Sequence, residues 1–270
     1  MELIREALNK AKTSAGDRQP RSQPVGSALR ASNEPVQRWS LQRVVPDATH
    51  LARERIVSYA MSDPCHAAFN LLRTKVHTAM RKNNSTTLAI VSPTPGCGKT
   101  TVSLNLAFSL ARSGCRTALI DLDLKKTSMA KALGLRTAAS TSEFLEGKAE
   151  LQQCFVQIGD NLFVGLNNHS VELSSELLYR ERSKDIIEAV KSGVSPDLIL
   201  FDLPPMLISD DALTFLQRVD SSLLVAGSGM TTVTQIDECQ RLASASTNVI
   251  GVVLNKVQGE LIESYNYAGY

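Results

Sequence analysis

The sequence predicts an α/β fold in which a mostly parallel sheet is covered by helices on both faces. Short apolar runs of strand type alternate with helical patterns from residue 88 onwards. In chain order these runs are 88–91, 116–120, 162–166, 198–201, 223–226 and 249–254. Two of them lead directly into an aspartate, Asp121 and Asp202, and the first leads into a glycine-rich turn. Ligands of such sheets bind beyond the carboxyl ends of the strands, so we expect the functional residues at that edge.

Composition argues against several classes of protein. The 270 residues carry a formal net charge of only +2, which gives no argument for nucleic-acid binding. Five scattered cysteines, with no C-x-x-C pair, indicate a reduced cytoplasmic protein without a zinc site. No apolar run approaches the roughly 18 residues of a membrane span, and the charged start, MELIREALNKAK, is not typical of a signal peptide. We therefore expect a cytoplasmic protein with no transmembrane segment of its own.

Composition also divides the chain into four parts. Residues 1–12 have the apolar spacing of a short amphipathic helix, which would either dock a partner or pack on its own domain. Residues 13–50 are rich in Ser, Gln, Pro and Arg, so we expect a flexible, disordered linker there. Residues 51–262 hold the alternating strands and helices of the main domain, and residues 263–270 form a tyrosine-containing tail.

Helical patterns separate the strands of the main domain. They are expected over 63–84, from 99 onwards, over 173–192 and over 231–246. A further helix should follow Ser209-Asp210-Asp211, because these side chains are typical helix caps. Helices in these positions would connect neighbouring parallel strands.

The first strand leads into a glycine-rich turn and then a helix, an order that builds a phosphate-binding loop. The turn, SPTPGCG, precedes Lys99 and Thr100, and it meets the pattern G-x-x-x-x-G-K-[ST] except that Pro93 replaces the first glycine. Lys99 would bring a cation to the β- and γ-phosphates, and the Thr100 hydroxyl would be a hard ligand for Mg²⁺. The expected nucleotide contacts are Pro95, Gly96, Cys97, Gly98, Lys99, Thr100 and Thr101.

Three aspartates follow the two strands that we expect beside this loop. Asp121 and Asp123 are two residues apart, so an extended backbone would place both side chains on one side. One would hold Mg²⁺ and the other would accept the proton of an attacking hydroxyl, and the sequence leaves these two roles exchangeable. Asp202 is expected to be a further Mg²⁺ ligand. The predicted metal ligands are Thr100, Asp121 and Asp202, and the predicted catalytic residues are Lys99, Asp121 and Asp123.

The end of the chain concentrates tyrosine. Three of the five tyrosines, Tyr265, Tyr267 and Tyr270, fall in the final SYNYAGY, with small or polar residues between them. We interpret them as phosphoacceptors on a flexible tail, and the alternative is chance clustering at a frayed terminus. Extended from Gly259, the tail would reach on the order of 40 Å, enough for the active site of a neighbouring subunit.

Together these motifs resemble the bacterial tyrosine kinases of polysaccharide export, the BY-kinases, and in particular their stand-alone cytoplasmic form from exopolysaccharide loci. The resemblance covers roughly residues 50–270. It rests on SPTPGCGKTT as a deviant Walker A motif, ALIDLDLKK as Walker A′, LILFDLPP as Walker B, and the terminal tyrosines. It implies the P-loop NTPase fold that this family shares with the Min and Par ATPases.

The resemblance implies a protein-tyrosine autokinase that uses ATP and Mg²⁺. Lys99 would neutralise charge on the γ-phosphoryl group, Asp121 or Asp123 would take the tyrosine proton, and Asn255 in VVLNKV would contact adenine. The tail tyrosines of one subunit would be phosphorylated by the next in a homo-oligomer. A membrane-embedded polysaccharide co-polymerase, a regulator of chain length, would activate the kinase and bring it to the inner membrane from the cytoplasm.

Some positions depart from the family. Lys125 stands where the family usually has Arg, and two of the three charges of its oligomerisation helix are missing at Ala67 and Asn70, with Arg73 retained. Two other functions therefore stay open. One is a Min/Par-type partition ATPase, although such proteins use a second lysine where this chain has Thr94. The other is an ATP-binding regulator of the membrane partner that transfers no phosphate.

Overall fold

The computed structural model describes residues 38–60, 63 and 65–257. The predicted N-terminal helix at 1–12, most of the predicted linker and the whole tail at 263–270 lie outside these residues. The three tyrosines assigned as phosphoacceptors lie outside them as well. They remain predictions from the sequence.

The described residues form eight strands and ten α-helices, with one 3₁₀ turn at Leu151–Cys154. The strands are β1 (Gln42–Val44), β2 (Thr87–Val91), β3 (Thr117–Asp121), β4 (Phe155–Ile158), β5 (Leu162–Gly165), β6 (Leu198–Asp202), β7 (Ser221–Gly227) and β8 (Asn248–Asn255). The helices are α1 (Ala48–Arg53), α2 (Val57–Ala60), α3 (His66–Lys82), α4 (Lys99–Arg112), α5 (Ser128–Leu133), α6 (Thr141–Glu146), α7 (Ser174–Tyr179), α8 (Arg182–Val194), α9 (Asp211–Leu216) and α10 (Val233–Ser244).

The strands form one mostly parallel sheet in the order β1-β4-β5-β3-β6-β2-β7-β8. Neighbouring strands are parallel except for β4 and β5, which pair antiparallel. Alternate residues of β2 enter two separate cores, Ala89 and Val91 in one, Leu88 and Ile90 in the other. Because alternate side chains of a strand point to opposite faces, helices cover both faces of the sheet, which confirms the predicted α/β class.

The topology brings the ends of three central strands together. β6 lies between β2 and β3, so the loop that follows β2 lies beside the ends of both β6 and β3. Asp121 at the end of β3 is in register with Asp202 at the end of β6. The backbone N–H of Leu122 donates to the carbonyl oxygen of Asp202 at 3.0 Å and extends this pairing by one residue. Two acidic side chains and the phosphate-binding loop therefore meet at one edge of the sheet.

The linker predicted over 13–50 does not extend to residue 50, because β1 and the start of α1 lie within it. β1 pairs in parallel with β4, and the Trp39 ring packs against Phe155 with centroids 5.1 Å apart. The backbone N–H of Trp39 also donates to the carbonyl oxygen of Gly193 at 2.9 Å. The polar composition concealed this structure, since the stabilising contacts come from residues more than a hundred positions away.

Two further expectations need correction. β4 was not predicted, because FVQI is short and interrupted by a polar residue, and its antiparallel pairing with β5 departs from the simple alternation. The long helix predicted over 173–192 is two helices, α7 and α8, separated at an extended Arg180. The carbonyl of Leu178 accepts hydrogen bonds from Ser183 Oγ and Arg218 Nη1, which satisfy it where α7 ends. Within the described part of the chain, no helix is both long enough and apolar enough to span a bilayer.

Candidate functional site

The loop between β2 and α4 is shaped by two glycines in the left-handed region. Gly96 and Gly98 both have φ of +85°, a conformation that other residues rarely adopt. A Cβ on Gly98 would overlap the side-chain amide of Asn255, and that amide donates to the carbonyl oxygen of Cys97 at 2.9 Å. The loop is thus held from the side by the end of β8. It ends at the N-terminus of α4, where free N–H groups favour an anion.

The other predicted nucleotide contacts line this loop. Pro95 is exposed at its tip, and the buried Cys97 Sγ donates to the carbonyl oxygen of Thr94 at 3.2 Å. Burial raises the pKa of the Cys97 thiol, but hydrogen bonds from Thr231 and Thr94 outweigh burial and lower it overall. Thr101 is partly buried in the first turn of α4. These residues are continuous in the chain with Lys99 and Thr100.

Lys99 is buried and paired with two acids. Its Nζ lies 2.8 Å from Asp202 Oδ1 and 3.6 Å from Asp123 Oδ2. Burial alone would lower the pKa of Lys99, but the negative charges of Asp202 and Asp123 outweigh burial and raise it. The lysine is therefore held as a cation, and the acids occupy the ammonium group that a phosphate would need.

Both carboxylate oxygens of Asp202 accept hydrogen bonds from side chains. Its Oδ1 accepts from Lys99 Nζ and from Ser103 Oγ, at 2.8 and 2.9 Å, and its Oδ2 accepts from Thr100 Oγ1 at 2.7 Å. Thr100 and Asp202, two of the predicted Mg²⁺ ligands, are thus in direct contact. Ser103 was not predicted as a site residue, although its position four residues after Lys99 places both on one face of α4.

Asp121 and Asp123 lie side by side, as their spacing predicts. The Asp123 N–H donates to Asp121 Oδ1 at 3.1 Å, and Asp121 Oδ2 has no hydrogen-bond partner among the described residues. Burial raises the pKa of Asp121 well above its usual value, and repulsion from Asp202 adds to this. Burial also raises the pKa of Asp123, although the positive charge of Lys99 opposes the rise. Both carboxyl groups are therefore better bases than an exposed aspartate.

These oxygens fit a magnesium ion that arrives with a nucleotide. The Thr100 hydroxyl, the Asp202 carboxylate and the unpartnered Asp121 Oδ2 are hard donors of the type that Mg²⁺ prefers. The described residues contain no group of three or more His, Cys, Asp or Glu arranged to bind a metal alone. Mg²⁺ in nucleotide sites needs only one or two carboxylates, because phosphate and water supply the other ligands.

A second lysine contacts an aspartate beyond the same strand ends. Asp211, at the start of α9, is fully buried, and its Oδ2 accepts from Ser174 Oγ at 2.5 Å and contacts Lys125 Nζ at 3.3 Å. The predicted cap is wrong in detail, since Asp210 occupies the N-cap position without a side-chain capping bond. Asp211 instead joins α9, α7 and the loop after β3. No local pattern could have predicted this contact.

Comparisons with known proteins agree with this geometry. Residues 88–269 match the model of the CobQ/CobB/MinD/ParA nucleotide-binding domain. Tyrosine-protein kinase Etk of Escherichia coli K12 is 34% identical over 208 residues, which cover 76% of this chain and 28% of Etk. Tyrosine-protein kinase CpsD of Streptococcus pneumoniae is 35% identical over 174 residues, which cover 63% of this chain and 75% of CpsD.

A solved kinase-domain structure is also similar to this chain. The kinase domain of E. coli Etk aligns with a TM-score of 0.69 at 28% identity, covering 82% of this chain and 93% of that domain. The chain thus corresponds to little more than a quarter of whole Etk and to most of CpsD. From its nucleotide-binding domain and its similarity to these kinases, the chain belongs to the bacterial tyrosine kinases of the CobQ/CobB/MinD/ParA nucleotide-binding family.

Proposed function

We propose that this protein is an ATP-dependent tyrosine autokinase that phosphorylates the C-terminal tyrosines of another copy of itself. The observation that carries the proposal is the contact of Lys99 with Asp202 and Asp123 at the end of the phosphate-binding loop. A cation and carboxylates at a phosphate-binding loop suit phosphoryl transfer, because they can neutralise phosphate charge, hold a metal and accept the proton of the attacking hydroxyl. A partition ATPase would not need the tyrosines, and it would use a lysine where Thr94 stands.

The residues of the site have separate roles in the transfer of the γ-phosphoryl group to tyrosine. The bond between the γ-phosphorus and the β–γ bridging oxygen breaks, and a bond from the tyrosine oxygen to the γ-phosphorus forms. Lys99 turns from the acids to the phosphates and balances their charge, while the backbone N–H groups of residues 96–101 hold the phosphate oxygens. Mg²⁺, held by Thr100, Asp202 and Asp121, would neutralise further phosphate charge. Asn255 would contact the adenine base.

We propose that Asp123 accepts the proton of the attacking tyrosine hydroxyl. It lies 3.6 Å from Lys99 and keeps slight solvent access, whereas Asp121 is more deeply buried and one of its oxygens accepts the Asp123 N–H. Burial raises the pKa of Asp123, which makes this carboxylate a stronger base than an exposed aspartate. Asp121 Oδ2, which has no partner among the described residues, is then left for the metal.

The cellular role rests on the family resemblance. We propose that cycles of phosphorylation on Tyr265, Tyr267 and Tyr270 control the polymerisation or export of an exopolysaccharide. A membrane-embedded polysaccharide co-polymerase would activate the kinase and hold it at the inner membrane from the cytoplasmic side. Phosphorylation in trans would need a homo-oligomer.

Phosphotyrosine mapping by mass spectrometry tests the proposal. The parent, a Lys99→Ala variant and a Lys148→Ala control, which changes an exposed lysine, are recovered from the native host. We expect phosphate on the tail tyrosines of the parent and the control, and none on Lys99→Ala. An unmodified tail in a parent that hydrolyses ATP would favour a partition ATPase. An unmodified tail in a parent that binds ATP without turnover would favour a regulator.

A further inference from the structure

Ser103 is a buried serine that the proposed chemistry does not use. It lies on α4 one turn after Lys99, and it is completely inaccessible to solvent. Its Oγ lies 2.9 Å from Asp202 Oδ1 and 3.0 Å from the carbonyl oxygen of Lys99. A serine within a helix can bond its own backbone, so the Lys99 carbonyl contact alone would be unremarkable. The hydroxyl has a single proton, so its contact with Asp202 competes with this backbone bond and needs a different explanation.

The importance of the hydrogen bond from Ser103 to Asp202 depends on the position of the Lys99 side chain. In the structure described here, Asp202 Oδ1 has two donors, Lys99 Nζ and Ser103 Oγ, while Thr100 Oγ1 serves Oδ2. Lys99 must leave Asp202 to reach a phosphate. Because Asp202 is fully buried, a carboxylate oxygen left with neither a donor nor the metal would carry a large desolvation penalty. Ser103 is the donor that stays on Oδ1 when Lys99 leaves.

We propose that Ser103 is a positioning residue that holds the Asp202 carboxylate in place while Lys99 moves to the nucleotide. The inference rests on the proposed function only in that Lys99 and Asp202 serve ATP·Mg²⁺. It makes Ser103 more important in the nucleotide-bound protein than in the free protein. In the free protein Lys99 still satisfies Oδ1, so loss of the Ser103 hydroxyl has a small effect.

A positioning role predicts that loss of the Ser103 hydroxyl matters more with nucleotide bound than without it. A merely structural role predicts a similar effect in both states. The test compares Ser103→Ala with Ser109→Ala, a matched change on the same helix. Ser109 is also buried, but its Oγ donates to Asn70 Oδ1 at 3.0 Å, on the side of α3 and away from the loop. Both variants lose one buried hydroxyl. Only Ser103→Ala loses a donor to Asp202.

The measurements are the affinity for ATP·Mg²⁺ by calorimetry and the melting temperature without nucleotide. For Ser103→Ala we expect the dissociation constant to rise about tenfold or more, since a hydrogen bond to a charged group is lost. Ser109→Ala should bind ATP·Mg²⁺ as the parent does. Without nucleotide, Ser103→Ala should melt no lower than Ser109→Ala.

Two results would overturn the proposal. One is a Ser103→Ala variant that binds ATP·Mg²⁺ as tightly as the parent. The other is a free Ser103→Ala protein that melts well below Ser109→Ala, which would make the hydroxyl a general support of the fold. This test does not measure phosphate transfer. A parent that binds ATP without transferring phosphate would therefore contradict the proposed kinase activity, while the role of Ser103 could still be tested. A parent that binds no ATP·Mg²⁺ overturns both proposals.

Discussion

Two lysines, Lys99 and Lys125, contact aspartates beyond the carboxyl ends of the central strands, and their contacts differ in burial. In the pair Lys99–Asp202, the side chains are 6% and 1% exposed. In the pair Lys125–Asp211, the aspartate is again 1% exposed but the lysine is 42% exposed. The first lysine therefore depends on the protein for its partners, whereas the second keeps access to water.

The two aspartates also differ in how their oxygens are used. Asp202 accepts hydrogen bonds on both oxygens, whereas Asp211 receives Ser174 and Lys125 on Oδ2 and has no partner for Oδ1 within the described residues. A lysine brings a single point of charge, so it cannot serve both oxygens of a carboxylate as a guanidinium can. The aspartate with partners on both oxygens is at the proposed active site, and the aspartate with an unpartnered oxygen joins α7, α9 and the loop after β3 beside it.

The largest expected effect is that of Asp202→Ala. The change leaves the buried cation of Lys99 with Asp123 alone, at 3.6 Å. Removal of one partner from a buried ion pair costs about 3–5 kcal/mol of unfolding free energy. Urea unfolding would measure this loss, and tyrosine phosphorylation should be abolished. Asp237→Ala, at an exposed aspartate of α10, is the control and should change neither.

Asp211→Ala should cost less, about 1–3 kcal/mol of unfolding free energy. Ser174 loses its acceptor in a buried position, but Lys125 can turn to water because it is already partly exposed. The same urea titration gives the value. If Asp211→Ala proved as damaging as Asp202→Ala, the exposure of the lysine would not explain the difference between the two pairs.

A third effect concerns pH. Burial, with repulsion from Asp202, raises the pKa of Asp121 above its usual 3.8, so the folded protein binds this proton more tightly than the unfolded chain does. The stability contributed by this group is complete below pH 3.8 and is lost as pH rises through the raised pKa. Asp121→Asn should therefore gain stability relative to the parent as pH rises across this range. Urea titrations at a series of pH values would show it, and a constant difference would contradict it.

The smallest expected effect is a gain. In Lys125→Arg, the guanidinium can donate to both oxygens of Asp211 and supply the partner that Oδ1 lacks. We expect a rise of about 1 kcal/mol in unfolding free energy, measured by urea or thermal unfolding. Lys126→Arg, at the adjacent exposed lysine, is the matched control. An equal gain in both variants would show that the Asp211 oxygen is not the cause.

The sequence predicts much of the site because its motifs are local. The glycine-rich turn, Lys99 and the aspartates that end two apolar strands are all marked by their immediate neighbours. The parallel topology then brings them together with few alternatives. Patterns that repeat over a few residues are visible without knowledge of the rest of the fold.

The elements that the sequence did not reveal depend on distant partners. β1 is a polar strand of three residues that forms because β4 offers an edge and Trp39 packs on Phe155. The Asp211 contact unites three segments that are far apart in the chain. Local sequence propensity predicts neither β1 nor the Asp211 contact, because both are stabilised by tertiary contacts.

The pairing of β1 with β4 bears on how the protein is produced in recombinant form. A truncated protein starting at residue 51, where composition places the domain boundary, would lack β1 and leave the backbone groups of β4 unpaired along one side. It would also uncover Phe155 and Gly193, which Trp39 covers. An unpaired, partly apolar edge invites aggregation by strand addition. A shortened protein should therefore begin before residue 38.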